Sequence, residues 1–391
     1  MIKFILGKSG TGKTTLIYEK LNKLSQNPEK PLLLLVPDQS TFQTEKDLLE
    51  VLGAKKSRNV LVAGFSKLCR YVFEQTGNIP VNVIDDGTRA VIMSIAIEQL
   101  TEKLNLLKTR NNKSIAELML QTLVDCKKSG VTSNALRQGA LKVDEPTLCE
   151  KLNETALVLD TYEALIAQSY IDPLDDLERL FNILSENNLF KNATIFIDSF
   201  SGFTFAQLKV LRLLINHSAK CYISLTLAPL SDGNEEVFAT SHKTYKILKD
   251  IAKRDSVEIK TPLTLLENKR FYSKELNTLE NGIFRNDFET DDTQPKNITL
   301  FSASDPYSEC EFVARQIKKL IIQENYLYSD ISIICHDTTP YRGILDTILE
   351  KYEIPYFMDS EKEIEVKPVI RFVASIFKII LDDFERDDVL S

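Results

Sequence analysis

The sequence predicts an α/β protein built on parallel sheets, and three observations carry that prediction. An apolar run at residues 2–6 leads directly into Gly7-Lys8-Ser9-Gly10-Thr11-Gly12-Lys13-Thr14, which reads G-x-x-x-x-G-K-T. Short, nearly continuous apolar runs recur at 32–36, 60–63, 194–197 and 221–227, the pattern of strands buried on both faces. Segments with apolar residues three and four apart separate them, and strands alternating with helices build parallel sheets.

The elements follow in order. Leu16, Ile17, Leu21 and Leu24 mark a helix after the glycine-rich loop. From about residue 85 to 192 strand-like runs nearly vanish, and 88–107, 113–128 and 151–169 carry helical spacing. The expected organisation is a sheet lobe at 1–84 and 193–280, interrupted by a helical insertion at 85–192. A second α/β lobe is expected to begin near 296 and run to 391. In it, 298–302 and 331–335 read as strands, flanking a helix with Cys310, Val313, Ile317, Leu320 and Ile321 on one stripe. Pro340 suits the first turn of a further helix with Ile344, Leu345, Ile348 and Leu349 inward. Residues 368–382 are helical in period, yet 383–391 supply neither a capping glycine nor a closing element, as expected of the start of a longer protein.

Composition bounds the function classes. At 391 residues with 43% hydrophobic and 27% charged side chains, the chain has the balance of a soluble globular protein of two or three domains. The six scattered cysteines form no C-x-x-C pair, which fits a reducing compartment. No signal-peptide pattern and no apolar run approaching a membrane span is present, so a cytoplasmic location is expected. A net charge of −8 argues against a uniformly basic nucleic-acid coat but leaves room for a local basic channel. His217, His242 and His336 share no metal-ligand spacing.

The chemistry concentrates at the loop. Its glycines let successive backbone N–H groups turn toward a triphosphate, Lys13 adds a positive charge, and Thr14 offers a hydroxyl to Mg²⁺, with Thr15 next in the helix. The following helix directs its positive dipole end at the same anion. ATP with Mg²⁺ is therefore the expected cofactor; the structural alternative is a glycine-rich turn in a doubly wound fold. Residues 194–198, Thr-Ile-Phe-Ile-Asp, have the shape of a Walker B strand, in which Asp198 holds Mg²⁺; alternatively Asp198 caps a turn. Ser199 follows it where hydrolysing relatives of such proteins commonly carry glutamate. Ser40 with Gln43 has capping-box spacing. Phe42, Phe65 and Phe203 all follow strand ends, where parallel sheets place ligands, and each either stacks on a nucleobase or belongs to the core.

GKSGTGKT at 7–14, VPDQSTFQTE at 36–45, VLVAGFSKLCRYVFEQTG at 60–77, IFIDSFSGFTFAQ at 195–207 and EIPYFMD at 353–359, in this order, resemble the AddB family. That family supplies the B subunit of the bacterial AddAB (RexAB) helicase-exonuclease, and the resemblance covers essentially the whole chain as an N-terminal portion. It implies a P-loop NTPase of UvrD-like architecture, with two RecA-like lobes and a helical insertion in the first. It also implies an AddA-type partner subunit, single-stranded DNA and duplex ends as substrates, resection of double-strand breaks for recombination, and a response to Chi sequences. The family's nuclease domain and cysteine-held iron-sulfur cluster belong to its C-terminal region and match nothing here. Compared with active UvrD-like motors, residues 1–6 leave no room for an adenine-reading glutamine, Ser199 replaces the glutamate, and His336 stands near a γ-phosphate arginine position. The resemblance thus implies nucleotide and DNA binding in a Chi-recognition scaffold rather than a motor, with no catalytic residue assigned. Two rivals remain from the loop alone: a small-molecule kinase or nucleotide switch, which needs an arginine-bearing lid, and a structural module whose loop binds nothing.

Overall fold

The computed structural model describes residues 1–26, 30–108, 112–187, 189–228, 236–270, 273–284, 294–358 and 368–381. The chain divides into two compact units, Met1–Asn297 and Ile298–Ser391.

The first unit holds a six-stranded, all-parallel sheet of β1 (Ile2–Gly7), β2 (Leu32–Leu35), β3 (Val60–Ala63), β4 (Thr194–Ile197), β5 (Lys220–Thr226) and β6 (Ile259–Leu265), in the order β3-β2-β4-β5-β1-β6. Both faces are covered, as the continuous apolar runs require. Successive side chains alternate between faces: Leu32 and Leu34 join Ile5, Ile17, Leu21 and Phe196 in one buried cluster, while Leu33 and Leu35 join Phe4, Leu6, Ile195 and Ile197 in another. Helices α1 (Lys13–Leu24), α2 (Thr41–Leu52) and the short α3 (Ala54–Ser57) follow β1 and β2, and α4 (Phe65–Thr76) follows β3.

The helical insertion comprises α5 (Asp86–Gln99), α6 (Asn112–Ser129), α7 (Ser133–Ala140) and α8 (Pro146–Ile166) around its own core, including Met93, Ile97, Met119, Leu123, Val158 and Tyr162. Its two ends meet in a narrow stem: Ile84 N–H donates to Ile171 O at 3.0 Å and Ile171 N–H to Asn82 O at 3.1 Å. Just inside the stem lies Asp172, fully buried, accepting from Arg89 at 3.0 Å, the Tyr162 hydroxyl at 2.9 Å and Leu174 N–H at 2.9 Å. A buried carboxylate is tolerated only with such a complete set of donors. Burial, and then the Asp172 charge, pushes the Tyr162 phenol well up.

After the stem come α9 (Asp176–Glu186), α10 (Phe205–His217), α11 (Ala239–Arg254) and α12 (Lys274–Gly282). Leu180, Leu184 and Phe190, from inside the span read as insertion, pack into the sheet core with Val210, Leu211 and Leu214 of α10. In the second unit, α13 (Pro306–Glu324) and α14 (Leu345–Lys351) bury Cys310, Ala314, Ile317, Ile348, Leu349 and Ile354 together, and α15 (Pro368–Leu381) follows.

Three sequence expectations are corrected. Ser40 and Gln43 form no capping box: a 3₁₀ turn at Asp38–Ser40 already gives Ser40 helical backbone, and Gln43 bonds Asp47 instead. The capping box that does form is Thr204 with Gln207, at α10. Residues 298–302 and 331–335 enter no sheet among the described residues; Leu300 is 96% and Ile334 91% exposed, so these runs have strand composition without a hydrogen-bonded neighbour. Conversely β6 was not expected. It is an edge strand carrying Lys260, Pro262 and Thr264, and the register slips between Lys3 and Ile5 opposite the proline, which has no N–H to give. The stretch 383–391 lies outside the described residues.

Gly130, with φ +68°, ends α6 against α10; a Cβ there would meet the Phe205 ring at 2.1 Å. Gly130→Ala is therefore expected to lower stability by about 2 kcal/mol or more. Gly139→Ala, in α7 with open space around it, should be neutral or stabilise by up to about 0.5 kcal/mol. Denaturant midpoints of the two variants check the contrast; equal shifts would contradict it.

Candidate functional site

At the carboxyl ends of the strands, a cleft of roughly 580 Å³ is lined by residues 9–16 with Glu19, Asp198, Ser199, Phe200, Ser224, Thr226, Leu265, Lys269 and Arg270. The loop turns through Gly10 and Gly12, both left-handed at φ +79° and +86°, a backbone open to glycine at little cost. Gly12 is also the N-cap of α1, and no side chain caps that helix and no acidic residue stands in its first turn. Its first N–H groups thus remain available to an anion, and the helix dipole favours one there.

Lys13 is nearly buried, with Nζ donating to Gly7 O at 2.9 Å and Lys8 O at 2.7 Å. Burial holds its ammonium below the ordinary lysine range; the Asp198 charge opposes that shift and the Arg270 charge reinforces it. Thr14 Oγ1 donates to Asp198 Oδ2 at 2.8 Å, joining the loop helix to the end of β4. Asp198 is 3% exposed, and its other oxygen accepts a hydrogen bond from Ser224 on β5, the strand lying between β1 and β4. Lys13, Thr14 and Asp198, grouped from the sequence, line one cleft, and Ser224 joins them without having been singled out. Nothing local marks Ser224; only strand order does. Ser199 adopts φ +65°, a sparsely populated region for a residue with a Cβ.

A second group escaped the sequence reading. Residues 266–270, just past β6, lie across the loop: Lys269 N–H donates to Gly10 O at 2.9 Å, Asn268 Nδ2 to Ser9 O at 3.5 Å, and Arg270 Nη1 to Ser9 Oγ at 3.3 Å. Lys8 reaches Asn281 on α12 at 3.2 Å. The cleft thereby gathers Lys13, Lys269 and Arg270 around its glycine-rich wall, an arrangement suited to a polyanion.

The three phenylalanines separate. Phe65 is 3% exposed and packs edge-on against Phe200 and Phe203, so it presents no face for a base; the expectation of a stacking role for it is corrected. The cause is that α4 starts at Phe65 itself, turning the ring under the helix into the core. Phe203 is half-buried against the same core, and Phe42 stands 78% exposed at the start of α2.

An all-parallel sheet whose first strand enters a glycine-rich loop and helix, with the next carboxylate delivered from beyond an intervening strand, defines a RecA-like α/β protein. Comparison with known proteins gives the family. Residues 4–280 match the family model described as ADDB, N-terminal. Among similar curated proteins, the B subunit of the ATP-dependent helicase/deoxyribonuclease of Caldanaerobacter subterraneus subsp. tengcongensis is 32% identical, covering 99% of this chain and 34% of its own length. Its counterpart from Clostridium novyi is 30% identical over 96% of this chain and 34% of its own. The chain belongs to the AddB family, as its N-terminal region, and spans about a third of the length of these relatives.

Ser224→Ala should lower stability by about 1–3 kcal/mol, because it removes a donor from a buried carboxylate. Chemical denaturation reads this directly; an unchanged midpoint would show that Asp198 is satisfied without it.

Proposed function

We propose that this chain is the nucleotide-binding and DNA-facing N-terminal region of the B subunit of an ATP-dependent helicase/exonuclease that resects DNA double-strand breaks for homologous recombination. It acts there with an AddA-type helicase-nuclease subunit, in the cytoplasm, as a Chi-recognition scaffold rather than a motor. The name carried by its relatives supports the class of complex. Among the described residues no helix is long and apolar enough to cross a membrane.

The observation that carries the nucleotide role is the Thr14–Asp198 contact beside a buried Lys13. Residues 7–15 cradle the phosphates of ATP through backbone N–H groups and Lys13, with Lys269 and Arg270 adding charge. The donor set suits Mg²⁺: a hydroxyl and a carboxylate 2.8 Å apart are hard oxygen ligands, and such ions are held by one or two protein groups plus phosphate oxygens. Thr14 would ligate it and Asp198 would hold it, directly or through water; bound there, Mg²⁺ offsets phosphate charge. Among the described residues no group of three or more His, Cys, Asp or Glu is placed to hold a metal ion. Ser199, where a motor carries a glutamate, cannot polarise water, and the reading is therefore of binding with little turnover. Phe42 and, at its edge, Phe203 serve the DNA groove.

ATP with Mg²⁺ should raise the melting temperature of the wild-type chain and leave Lys13→Ala unshifted, while steady-state hydrolysis stays near background. No shift in the wild type would favour a loop that binds nothing; turnover at motor rates, abolished in Lys13→Ala, would sink the scaffold reading. For DNA, binding of single-stranded oligonucleotides should weaken as salt rises, and Phe42→Ala should weaken it by roughly fivefold or more without altering stability. Fluorescence anisotropy measures both, and an unchanged affinity in the variant removes Phe42 from the groove.

A further inference from the structure

We propose that Glu19 reads the sugar of the bound nucleotide: its carboxylate accepts hydrogen bonds from the ribose hydroxyls and so selects ribonucleotides over deoxyribonucleotides. This rests on the nucleotide reading above.

Helix α1 has two working faces. Lys13, Ile17 and Leu21 are buried. Thr15, Leu16 and Glu19 fall within an arc of about 100° beside that face, and all three line the cleft. The rise of the helix sets Glu19 roughly 10 Å along the axis from Gly12. Lys269 and Arg270 stand at the other end: the side chain of Lys269 lies nearest a Cβ built on Gly12, at 3.7 Å, and that of Arg270 nearest one built on Gly10, at 2.8 Å. Positive charge is therefore collected at the loop, and a carboxylate stands two helical turns away along the same wall.

A nucleoside triphosphate has the matching polarity. Its anionic tail belongs on the loop, and its sugar, carrying two O–H donors, comes next along the molecule. A carboxylate beside the phosphates would repel them, whereas beside the sugar it is an acceptor-only group facing donors. Asp198, the other carboxylate of the cleft, is already bonded to Thr14 and Ser224. Among the described residues Glu19 has no hydrogen-bond or ion-pair partner, so its oxygens are uncommitted. Leu16 lies between it and the loop on the same face and offers the sugar an apolar contact.

The test is competition of ATP and 2′-deoxy-ATP against a fluorescent ATP analogue, with Mg²⁺, on the 391-residue chain and its Glu19→Gln and Glu19→Ala variants. The wild type should prefer ATP by about five- to tenfold. Glu19→Ala should bring that ratio close to one by weakening ATP more than 2′-deoxy-ATP, which keeps only the 3′-hydroxyl, with inorganic tripolyphosphate unaffected; Glu19→Gln, whose amide oxygen still accepts, should fall between. Equal wild-type affinity for the two nucleotides, or a preference that survives in Glu19→Ala, overturns the role of Glu19 and leaves the nucleotide site standing. Failure of the wild type to bind either nucleotide overturns both.

Discussion

The buried carboxylate of Asp198 is where sheet, loop and helix are fixed to one another. It ends β4, yet its two oxygens are claimed by Thr14 from α1 and Ser224 from β5. An ionised carboxylate removed from water costs several kcal/mol unless donors replace the lost hydration, so the three elements hold one relative position or leave that charge unpaired. Strand order makes the arrangement possible. With β5 between β1 and β4, a short side chain on β4 cannot meet the loop across the sheet, and contact is made over the strand ends instead.

The cations are placed with equal economy. Lys13 is kept against backbone carbonyls inside the loop, and Arg270 is close enough to lower its proton affinity further. Positive groups so near one another repel, and a single buried carboxylate offsets them only in part. On the proposed nucleotide reading, a polyanion entering the cleft would offset that repulsion and so stabilise the lobe.

Much of this was legible from the residues because the signals are local. The apolar runs that became β1 to β5 are short and bounded by turn residues, and the loop motif fixes its own geometry through glycines at positive φ. What escaped is what depends on neighbours far along the chain. β6 carries a proline and polar side chains because an edge strand is half exposed, so its composition resembles a loop. Arg270 and Ser224 reach the site only through the sheet order, 261 residues from Ser9 and 26 residues from Asp198 respectively. Phe65 misled because its position after a strand is shared by ligand contacts and by first residues of covering helices; the packing of Phe200 and Phe203 decides between them. The runs in the second unit show that β composition without a partner strand does not make a sheet.

The narrow stem of the helical insertion has a consequence for assembly of the lobe. Because residues 82–84 bond directly to residue 171, the chain between β3 and β4 is short-circuited once those rungs form. The entropy of joining the two strands is then that of a brief connection, whatever the size of the helical body hung from it. That body keeps its own apolar interior and its own sealed ion pair at the neck. Its size can therefore change without lengthening the connection between β3 and β4, provided the seam where Gly130 at the end of α6 meets Phe205 of α10 is kept.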